Sequence, residues 1–218
     1  MYNFTFNIPT KIHFGKDTIS NLSELKAYGS KVLLVYGGGS IKKNGLYDTA
    51  MKILKDAGLT VFELSGVEPN PKIETVRKGV EICKNEGIDM VLAIGGGSTI
   101  DCSKVVAAGA KYDGDAWDLV LDGSKVKAAL PIFDVLTLSA TGTEMDPFAV
   151  ISDMSKNEKW GTGSPYMVPT MSILNPEYTF SVSKKQTAAG TADMMSHTME
   201  NYFSMENADC QKFMAEGL

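Results

Sequence analysis

The amino-acid sequence predicts an α/β fold: a doubly wound, mainly parallel sheet followed by the start of an all-helical domain. Short apolar runs alternate with segments of helical periodicity between residues 31 and 109, an order typical of a parallel sheet covered by helices on both faces. Two of these apolar runs, at residues 31–36 and 91–94, are each followed directly by three glycines. After residue 183 the chain contains no proline and little β signal. We therefore predict a sheet domain over residues 1–180 and the first helices of a second domain over residues 181–218.

Composition excludes several classes of protein. The chain has 218 residues, of which 44% are hydrophobic, and a formal net charge of -5, which argues against a nucleic-acid-binding protein. No apolar run approaches the ~20 residues of a membrane span, and the first residues lack the pattern of a secretory signal. The three cysteines, Cys83, Cys102 and Cys210, are odd in number and far apart. This favours a reducing, cytoplasmic location over a disulfide framework.

The N-terminal segment predicts edge strands. Residues 3–15 alternate apolar and polar side chains on either side of Pro9, which favours a β-hairpin or two edge strands. Such an exposed edge is a candidate surface for a homodimer. Asp17 is a candidate cap for a short helix that ends near Gly29.

The remaining elements follow from hydrophobic periodicity. Strands are predicted at residues 31–36, 59–64, 91–94, 132–138, 148–151 and 171–174, and helices at residues 46–57, 73–86, 99–109 and 185–203. A looser segment containing Trp117 follows Gly114, and a last helix is expected to begin near Glu206.

Two glycine turns are candidate phosphate sites. Gly37-Gly38-Gly39-Ser40 follows one predicted strand, and Gly95-Gly96-Gly97-Ser98 follows another and opens a helix. Without Cβ atoms such a turn lets a pyrophosphate approach the free backbone N–H groups of the helix. An ordinary tight turn is the alternative interpretation. Asp101, close behind the second turn, is able to cap the helix or to accept a hydrogen bond from a ribose hydroxyl.

Asp193 and His197 are candidate metal ligands. At an i, i+4 spacing they share one face of the predicted helix, where a carboxylate oxygen and an imidazole nitrogen are both able to ligate a divalent cation. The alternative is an exposed hydrogen-bonded pair, but the neighbouring residues are small or apolar.

The same region is rich in methionine, which favours core packing. Two helices cannot bury such faces against themselves, so we expect them to need partners that this chain does not contain. The methionines are Met194, Met195, Met199, Met205 and Met214.

Together these motifs resemble the N-terminal portion of the iron-containing (group III) alcohol dehydrogenases, in their NADPH-dependent butanol dehydrogenase-like branch. Besides the two glycine turns, Asp101, Asp193 and His197, the resemblance depends on the opening FNIPTKIHFGKDTI, the loop Glu68-Pro69-Asn70-Pro71, the segment LTLSATGTE at residues 136–144, Leu174-Asn175-Pro176, Gly190 and Glu200.

The resemblance implies an α/β dinucleotide domain, a helical domain and an active site in the cleft between them. It implies that a divalent metal, Fe2+ or Zn2+, is held by Asp193 and His197 and that the cofactor is held by residues of the turns and loops. These are Gly38, Ser40, Asn70, Gly96, Gly97, Ser98, Asp101, Thr137, Thr141, Lys159 and Tyr178.

The turn after the second strand favours NADP(H) over NAD(H). Relatives specific for NAD place an acidic residue there to bind the ribose 2′-OH. Here Gly38, Gly39 and Ser40 leave room for a 2′-phosphate, and Lys42 and Lys43 follow.

The implied reaction is hydride transfer between NADP(H) and a small alcohol or aldehyde, for example butanol or butyraldehyde, with the metal polarising the substrate oxygen. No histidine follows His197, whereas the family uses two further histidines as metal ligands. The alternative is therefore a truncated, catalytically incompetent NADP(H)-binding fragment. The related dehydroquinate synthases and glycerol-1-phosphate dehydrogenases share the fold, but the ATGTE and ADMMSH motifs fit them less well.

Overall fold

A six-stranded parallel sheet forms the centre of the molecule. The structure, a computed structural model, describes residues 3, 5, 7–204 and 209–218. The strands are β1 (Lys11–Phe14), β2 (Lys31–Tyr36), β3 (Thr60–Leu64), β4 (Met90–Gly95), β5 (Ile132–Leu136), β6 (Phe148–Asp153), β7 (Glu158–Gly163) and β8 (Met171–Leu174). Their order in the sheet is β1-β8-β5-β4-β2-β3, and β6 and β7 form a separate antiparallel pair.

Helices cover both faces of this sheet. They are α1 (Ser40–Lys43), α2 (Leu46–Asp56), α3 (Ile73–Glu86), α4 (Gly97–Gly109), α5 (Ala116–Leu121), α6 (Lys184–Phe203) and α7 (Asp209–Gly217), and a 3-10 helix spans Thr18–Tyr28. Alternate residues of each central strand enter different cores. Leu33 and Val35 pack with α3, α4 and α5, whereas Leu34 packs with α2 and the 3-10 helix. This arrangement confirms the predicted doubly wound sheet, and β4, buried along its whole length, lies near its middle.

Of the two N-terminal possibilities, a β-hairpin or two edge strands, the described residues show one edge strand, β1, and no second strand before it. Residues 7–10 are not a strand, and β1 pairs in parallel with β8 rather than with a neighbouring hairpin arm. Thr10 anchors this pairing, since its hydroxyl donates to the carbonyl oxygen of Pro169 at 2.8 Å. Phe4 and Phe6 lie outside the described residues. Asp17 does not cap the 3-10 helix, because its backbone is left-handed (φ 60°) and its side chain makes no capping bond.

Three of these helices and strands are absent from the sequence-based prediction, and the four-residue α1 is one of them. The looser segment after Gly114 contains α5, which Asp115 caps by accepting from the N–H of Trp117 and which buries the indole of Trp117. The strand β7 completes an antiparallel hairpin with β6. In addition, β5 ends at Leu136, two residues earlier than predicted.

The C-terminal helices are exposed. The helix α6 buries none of its side chains, and Met194, Met195, Met199 and Met214 are 46–62% exposed. Met205, and the expected helix start near Glu206, lie outside the described residues. The methionine-rich faces are thus unpacked in this chain. Among the residues described, no helix has the length and apolar character needed to cross a membrane.

Candidate functional site

The second glycine turn lies where the central strand β4 passes into α4. The strand ends at Gly95, Gly96 is the N-terminal cap residue of α4, and the helix begins at Gly97. Glycine has no side chain with which to cap the helix, and no side-chain bond caps this end of α4. Gly96, Gly97 and Ser98 are half-buried. The first turn of α4 therefore presents its N–H groups and its partial positive charge at the carboxyl edge of a parallel sheet.

The segment after β5 lies directly on this turn. The N–H of Thr137 donates to the carbonyl oxygen of Gly95 at 2.9 Å. A Cβ atom on Gly96 would lie 3.2 Å from the Cβ of Leu138, and one on Gly97 would lie 3.3 Å from the hydroxyl of Thr141. A side chain on either glycine would therefore require Leu138 or Thr141 to move by a few tenths of an ångström. The structure therefore brings together Gly96, Gly97, Thr137 and Thr141 from two separate parts of the chain.

The first glycine turn is open to solvent. A Cβ atom on Gly38 or Gly39 would meet no atom within 4 Å, and Ser40 is exposed at the start of α1. Gly39 has a φ of 101°, in the left-handed region that favours glycine. The backbone of this turn is thus accessible to a ligand at the same carboxyl edge of the sheet.

A charged and aromatic cluster lies beside the first turn. Lys42 Nζ lies 5.0 Å from the ring centroid of Tyr36 and 4.5 Å from that of Tyr47. Both phenol hydroxyls donate to Glu63, at 2.7 and 2.8 Å. These hydrogen bonds, led by that from Tyr36, lower the pKa of the Glu63 carboxyl. An acidic group in β3 is thus close to the end of β2, which the linear sequence does not show.

Asn70 and Lys159 meet although 89 residues separate them in the chain. Lys159 Nζ donates to Asn70 Oδ1 at 2.7 Å. Asn70 has a φ of 55°, an uncommon conformation for a residue other than glycine and one typical of functional loops. Tyr178, by contrast, is half-buried against the core on the α2 side of the sheet, and burial raises the pKa of its phenol.

Asp101 does not cap α4. Its Oδ1 accepts from the hydroxyl of Thr143 at 2.7 Å, and its Oδ2 accepts from the N–H of Val150 at 2.9 Å. Burial raises the pKa of this carboxyl, while the bond from Thr143 opposes the increase. Asp101 therefore joins α4 both to the segment between β5 and β6, through Thr143, and to β6 itself, through Val150, and a contact with a ribose hydroxyl stays a prediction.

The candidate metal ligands share one face of α6. His197 Nε2 lies 3.7 Å from Asp193 Oδ1, and both side chains are about half exposed. Within residues 3, 5, 7–204 and 209–218 no group of three or more His, Cys, Asp or Glu side chains is placed to hold a metal ion. The chemistry of the two donors fits a divalent metal, but their number is small for a site of high affinity.

A small cleft lies between α6 and the segment that covers the second glycine turn. It has a volume of about 160 Å3 and is lined on one side by Leu138 and Ser139 and on the other by Gly190, Thr191 and Met194. Neither Asp193 nor His197 is among the residues that line this cleft, although Thr191 and Met194 flank Asp193 along α6.

Lys104 is a residue of this region that the sequence patterns do not single out. Its side chain is fully buried in a helix that is otherwise small and apolar from Cys102 to Gly109. A lysine at such a position is almost never buried unless it is paired. Its place in an apolar stretch of helix is therefore the sequence signal that could have identified Lys104.

Comparisons with known proteins agree with this geometry. Residues 9–176 match the family described as iron-containing alcohol dehydrogenase. NADH-dependent butanol dehydrogenase A of Clostridium acetobutylicum is 60% identical over all of this chain, which covers 57% of that protein. NADPH-dependent aldehyde reductase YqhD of Escherichia coli is 39% identical, again over all of this chain and 57% of the relative.

A solved structure supports the same assignment. The crystal structure of NADH-dependent butanol dehydrogenase A from Thermotoga maritima superposes with a TM-score of 0.95 at 47% identity, covering all of this chain and 55% of that one. The chain thus spans little more than half the length of these relatives. The matched sequence and the shared fold together show that the chain belongs to the iron-containing alcohol dehydrogenase family.

Proposed function

We propose that the protein containing this chain is a metal-dependent oxidoreductase that transfers a hydride between a nicotinamide cofactor and a small alcohol or aldehyde. The observation that carries the proposal is the uncapped first turn of α4 at the carboxyl edge of β4, with residues 137–141 lying on it. The names of the relatives, butanol dehydrogenase at 60% identity and aldehyde reductase at 39%, support butanol or butyraldehyde as the substrate class.

The chain's own residues bind and orient the cofactor in this proposal. Backbone N–H groups of Gly96, Gly97 and Ser98 hold the pyrophosphate, since the dipole of α4 favours an anion there. Thr137 and Thr141 border the same turn and contact the nicotinamide half. Gly38 and Ser40 accommodate the adenosine ribose at the first turn.

Three further contacts complete the proposed cofactor site. The paired Asn70 and Lys159 supply an amide and an ammonium group at the rim, and Tyr178 and Asp101 border the riboses. Leu138 and Met194 supply apolar walls of the cleft, beside the proposed position of hydride transfer.

Asp193 and His197 hold the divalent metal, Fe2+ or Zn2+, in this proposal. When bound, the metal acts as a Lewis acid that stabilises the alkoxide formed or consumed at the substrate oxygen. Two protein ligands are available from the described part of this chain, so further ligands would come from the remainder of a full-length protein. The proposed boundary between the two domains lies at residue 180.

The cofactor preference is a separate part of the proposal. Open space at Gly38 and Gly39 and the nearby Lys42 support NADP(H), whereas the ionised Glu63 beside Tyr36 and the names of the 54–60% identical relatives support NAD(H). A Lys42→Ala variant tests the lysine. If Lys42 attracts the 2′-phosphate, the Kd for NADPH rises about tenfold, as expected for ~1.4 kcal/mol, while that for NADH stays within twofold. Equal increases in the Kd for NADPH and for NADH would show that Lys42 does not determine the preference between the two cofactors.

The alternative is a fragment that binds the cofactor without turnover, and the lack of a third metal ligand among the described residues favours it for this chain alone. Fluorescence titration with NADPH and NADH, metal analysis and butyraldehyde reduction on the 218-residue chain separate the two. Binding without turnover supports the fragment, and turnover with stoichiometric metal rejects it. Failure to bind either cofactor contradicts both.

Two further proposals concern the oligomeric state and the cellular location of the protein. A homodimer would pair through β1, which is the edge strand of the parallel sheet, and sedimentation of an Ile12→Pro variant tests it. The N–H of Lys11 donates to the carbonyl oxygen of Thr170 inside the sheet, so the N–H of Ile12, the next residue, points to the free edge, and proline there removes it. The cytoplasmic location is proposed from the odd number and wide spacing of the cysteines in the sequence, and fractionation of cells tests it.

A further inference from the structure

A fully buried ammonium group lies beneath the proposed cofactor site. Lys104 Nζ is 2.8 Å from each of four oxygens, which are the Thr143 hydroxyl, the Asp146 carbonyl and carboxylate, and the Phe148 carbonyl. Burial lowers the pKa of Lys104, and the bond to Asp146 opposes this decrease. A charge in such a position is very costly unless it is paired and hydrogen-bonded, so the four oxygens are what makes the buried lysine tolerable.

The partners of Lys104 are all in one segment. Thr143, Asp146 and Phe148 lie between β5 and the start of β6, 39–44 residues after Lys104. This segment has little regular structure of its own, as residues 137–147 form only turns and bends. Its position against α4 is therefore set mainly by side-chain contacts rather than by a sheet or helix.

Asp101, one turn earlier on α4, holds the same segment. Its carboxylate accepts from Thr143, whose oxygen also accepts from Lys104. Thr143 thus connects an anion and a cation of the same helix face, since residues three apart in a helix are neighbours. The three side chains form a continuous hydrogen-bonded network between α4 and the segment.

The segment held in this way is the one that covers the glycine turn. Leu138 and Thr141 precede Thr143 by a few residues and lie so close to Gly96 and Gly97 that a Cβ atom on either glycine would be only 3.2–3.3 Å from them. A ligand held by the first turn of α4 therefore meets this segment as the opposite wall, and a shift of ~1 Å in the segment would change the shape of the site.

We propose that Lys104 is a positioning residue that fixes residues 137–143 over the glycine turn and so sets the fit of the nicotinamide half of the cofactor. Lys104 acts through Thr143 and Asp146 and does not itself touch the cofactor. The inference rests on the proposed function, because it assumes that a dinucleotide binds at this turn.

The first test uses Lys104→Met in the 218-residue chain, a change that keeps the length of the side chain and removes the ammonium. We expect the Kd for the better-bound nicotinamide cofactor to rise at least tenfold, while the Kd for ADP, which lacks the nicotinamide half, rises less than threefold. Amide hydrogen exchange at residues 137–143 is expected to accelerate without cofactor, while exchange in β4 stays slow. The matched control is Lys78→Met, the same exchange at an exposed position of α3, which is expected to leave both Kd values within twofold.

The outcomes distinguish the inference from the proposed function. Unchanged cofactor affinity in a folded Lys104→Met variant overturns the inference alone, and so does an equal loss for cofactor and ADP, which a merely structural role would produce. If Lys104→Met does not fold, Thr143→Val decides, since it removes the shared hydroxyl at nearly constant volume. Weaker cofactor binding with unchanged ADP binding supports the proposal, and unchanged binding of both overturns it. A wild-type chain that binds neither NADPH nor NADH overturns the proposed function and, with it, this inference.

Discussion

At the scale of single residues, Asp134 is the clearest case of a side chain whose charge the fold suppresses. It lies in the middle of β5, 1% exposed, and burial raises its pKa well above the ordinary value. The hydroxyl of Ser172 is 2.6 Å from Asp134 Oδ2 and 2.7 Å from the carbonyl oxygen of Glu144. One hydroxyl hydrogen cannot serve both acceptors, so a protonated Asp134 Oδ2 that donates to Ser172 satisfies both contacts of this hydroxyl, and the buried Asp134 Oδ1 has no hydrogen-bond partner among the described residues.

This protonation predicts a pH-dependent stability. Above the pKa of the unfolded chain, ~3.9, the native state binds more protons at Asp134 than the unfolded state, so the free energy of unfolding falls as pH rises toward the raised pKa. Asp134→Asn keeps a donor to Ser172 and removes this cost. We therefore expect urea melts at pH 4 to 8 to show the variant gaining up to ~1.4 kcal/mol per pH unit relative to wild type. Parallel pH profiles would contradict this, and Asp113→Asn, at an exposed position, is the control.

Residue types and spacing in the sequence predict the glycine turns and the Asp193–His197 pair, because these depend on local geometry. They do not predict the roles of Lys104 and Glu63. Their partners, Thr143 and Asp146 for the first and Tyr36 and Tyr47 for the second, lie 16–42 residues away and meet them only through the fold. Asp101 illustrates the difference between local and long-range features. Its place in α4 follows from the sequence, but the hydrogen bonds that its carboxylate accepts from Thr143 and Val150 do not.

At the scale of elements, periodicity predicts the long buried helices and the parallel strands. It misses α5, which is only six residues long, and β7, whose sequence EKWGTG contains two glycines and a lysine. The N-terminal hairpin fails for another reason. Alternation predicts a strand but not its partner, and β1 pairs with β8, whose residues lie 160 positions further along the chain.

Packing between α3 and α4 gives a prediction at this scale. A Cβ on Gly79 would lie 2.6 Å from Val106 Cγ2 and 2.8 Å from Leu64 Cδ2, closer than real atoms approach. Gly79→Ala therefore forces α3 away from α4 and β3, and we expect a loss of about 1–3 kcal/mol in the free energy of unfolding, partly offset by the higher helix propensity of alanine. Chemical denaturation measures this.

The matched control is Gly190→Ala, because Gly190 is also helical but a Cβ there meets no atom within 4 Å. This change is expected to leave the stability of the sheet unchanged or to increase helicity slightly, as alanine is favoured over glycine by about 1 kcal/mol in an exposed helix. Equal losses in both variants would refute the packing argument.

At the scale of the whole molecule, burial is distributed unevenly. The strands β2, β4 and β5 and the helix α4 contribute buried side chains to the two large cores, whereas α6 contributes no buried side chain and contacts mainly α7. Large apolar side chains stay exposed along α6 and α7, including Phe203 at 78% and Phe213 at 78%. The sequence predicts this contrast, since among the described residues the methionines of α6 and α7 stay exposed.

This contrast predicts that α6 is much less stable against local opening than the strands of the sheet. An isolated helix gains little from hydrogen bonds alone, and most helical stability in proteins comes from tertiary packing. We therefore expect amide hydrogens of residues 184–203 in the 218-residue chain to exchange at rates set by local opening, close to those of unprotected amides, while amides of β4 exchange only on global unfolding. Hydrogen exchange followed by mass spectrometry measures both. In a full-length protein, the same α6 amides are expected to be protected at least a hundredfold more strongly, because other helices would cover Met194, Met195 and Met199. Strong protection of α6 in the 218-residue chain would contradict this account and would show that its exposed apolar face is covered in solution.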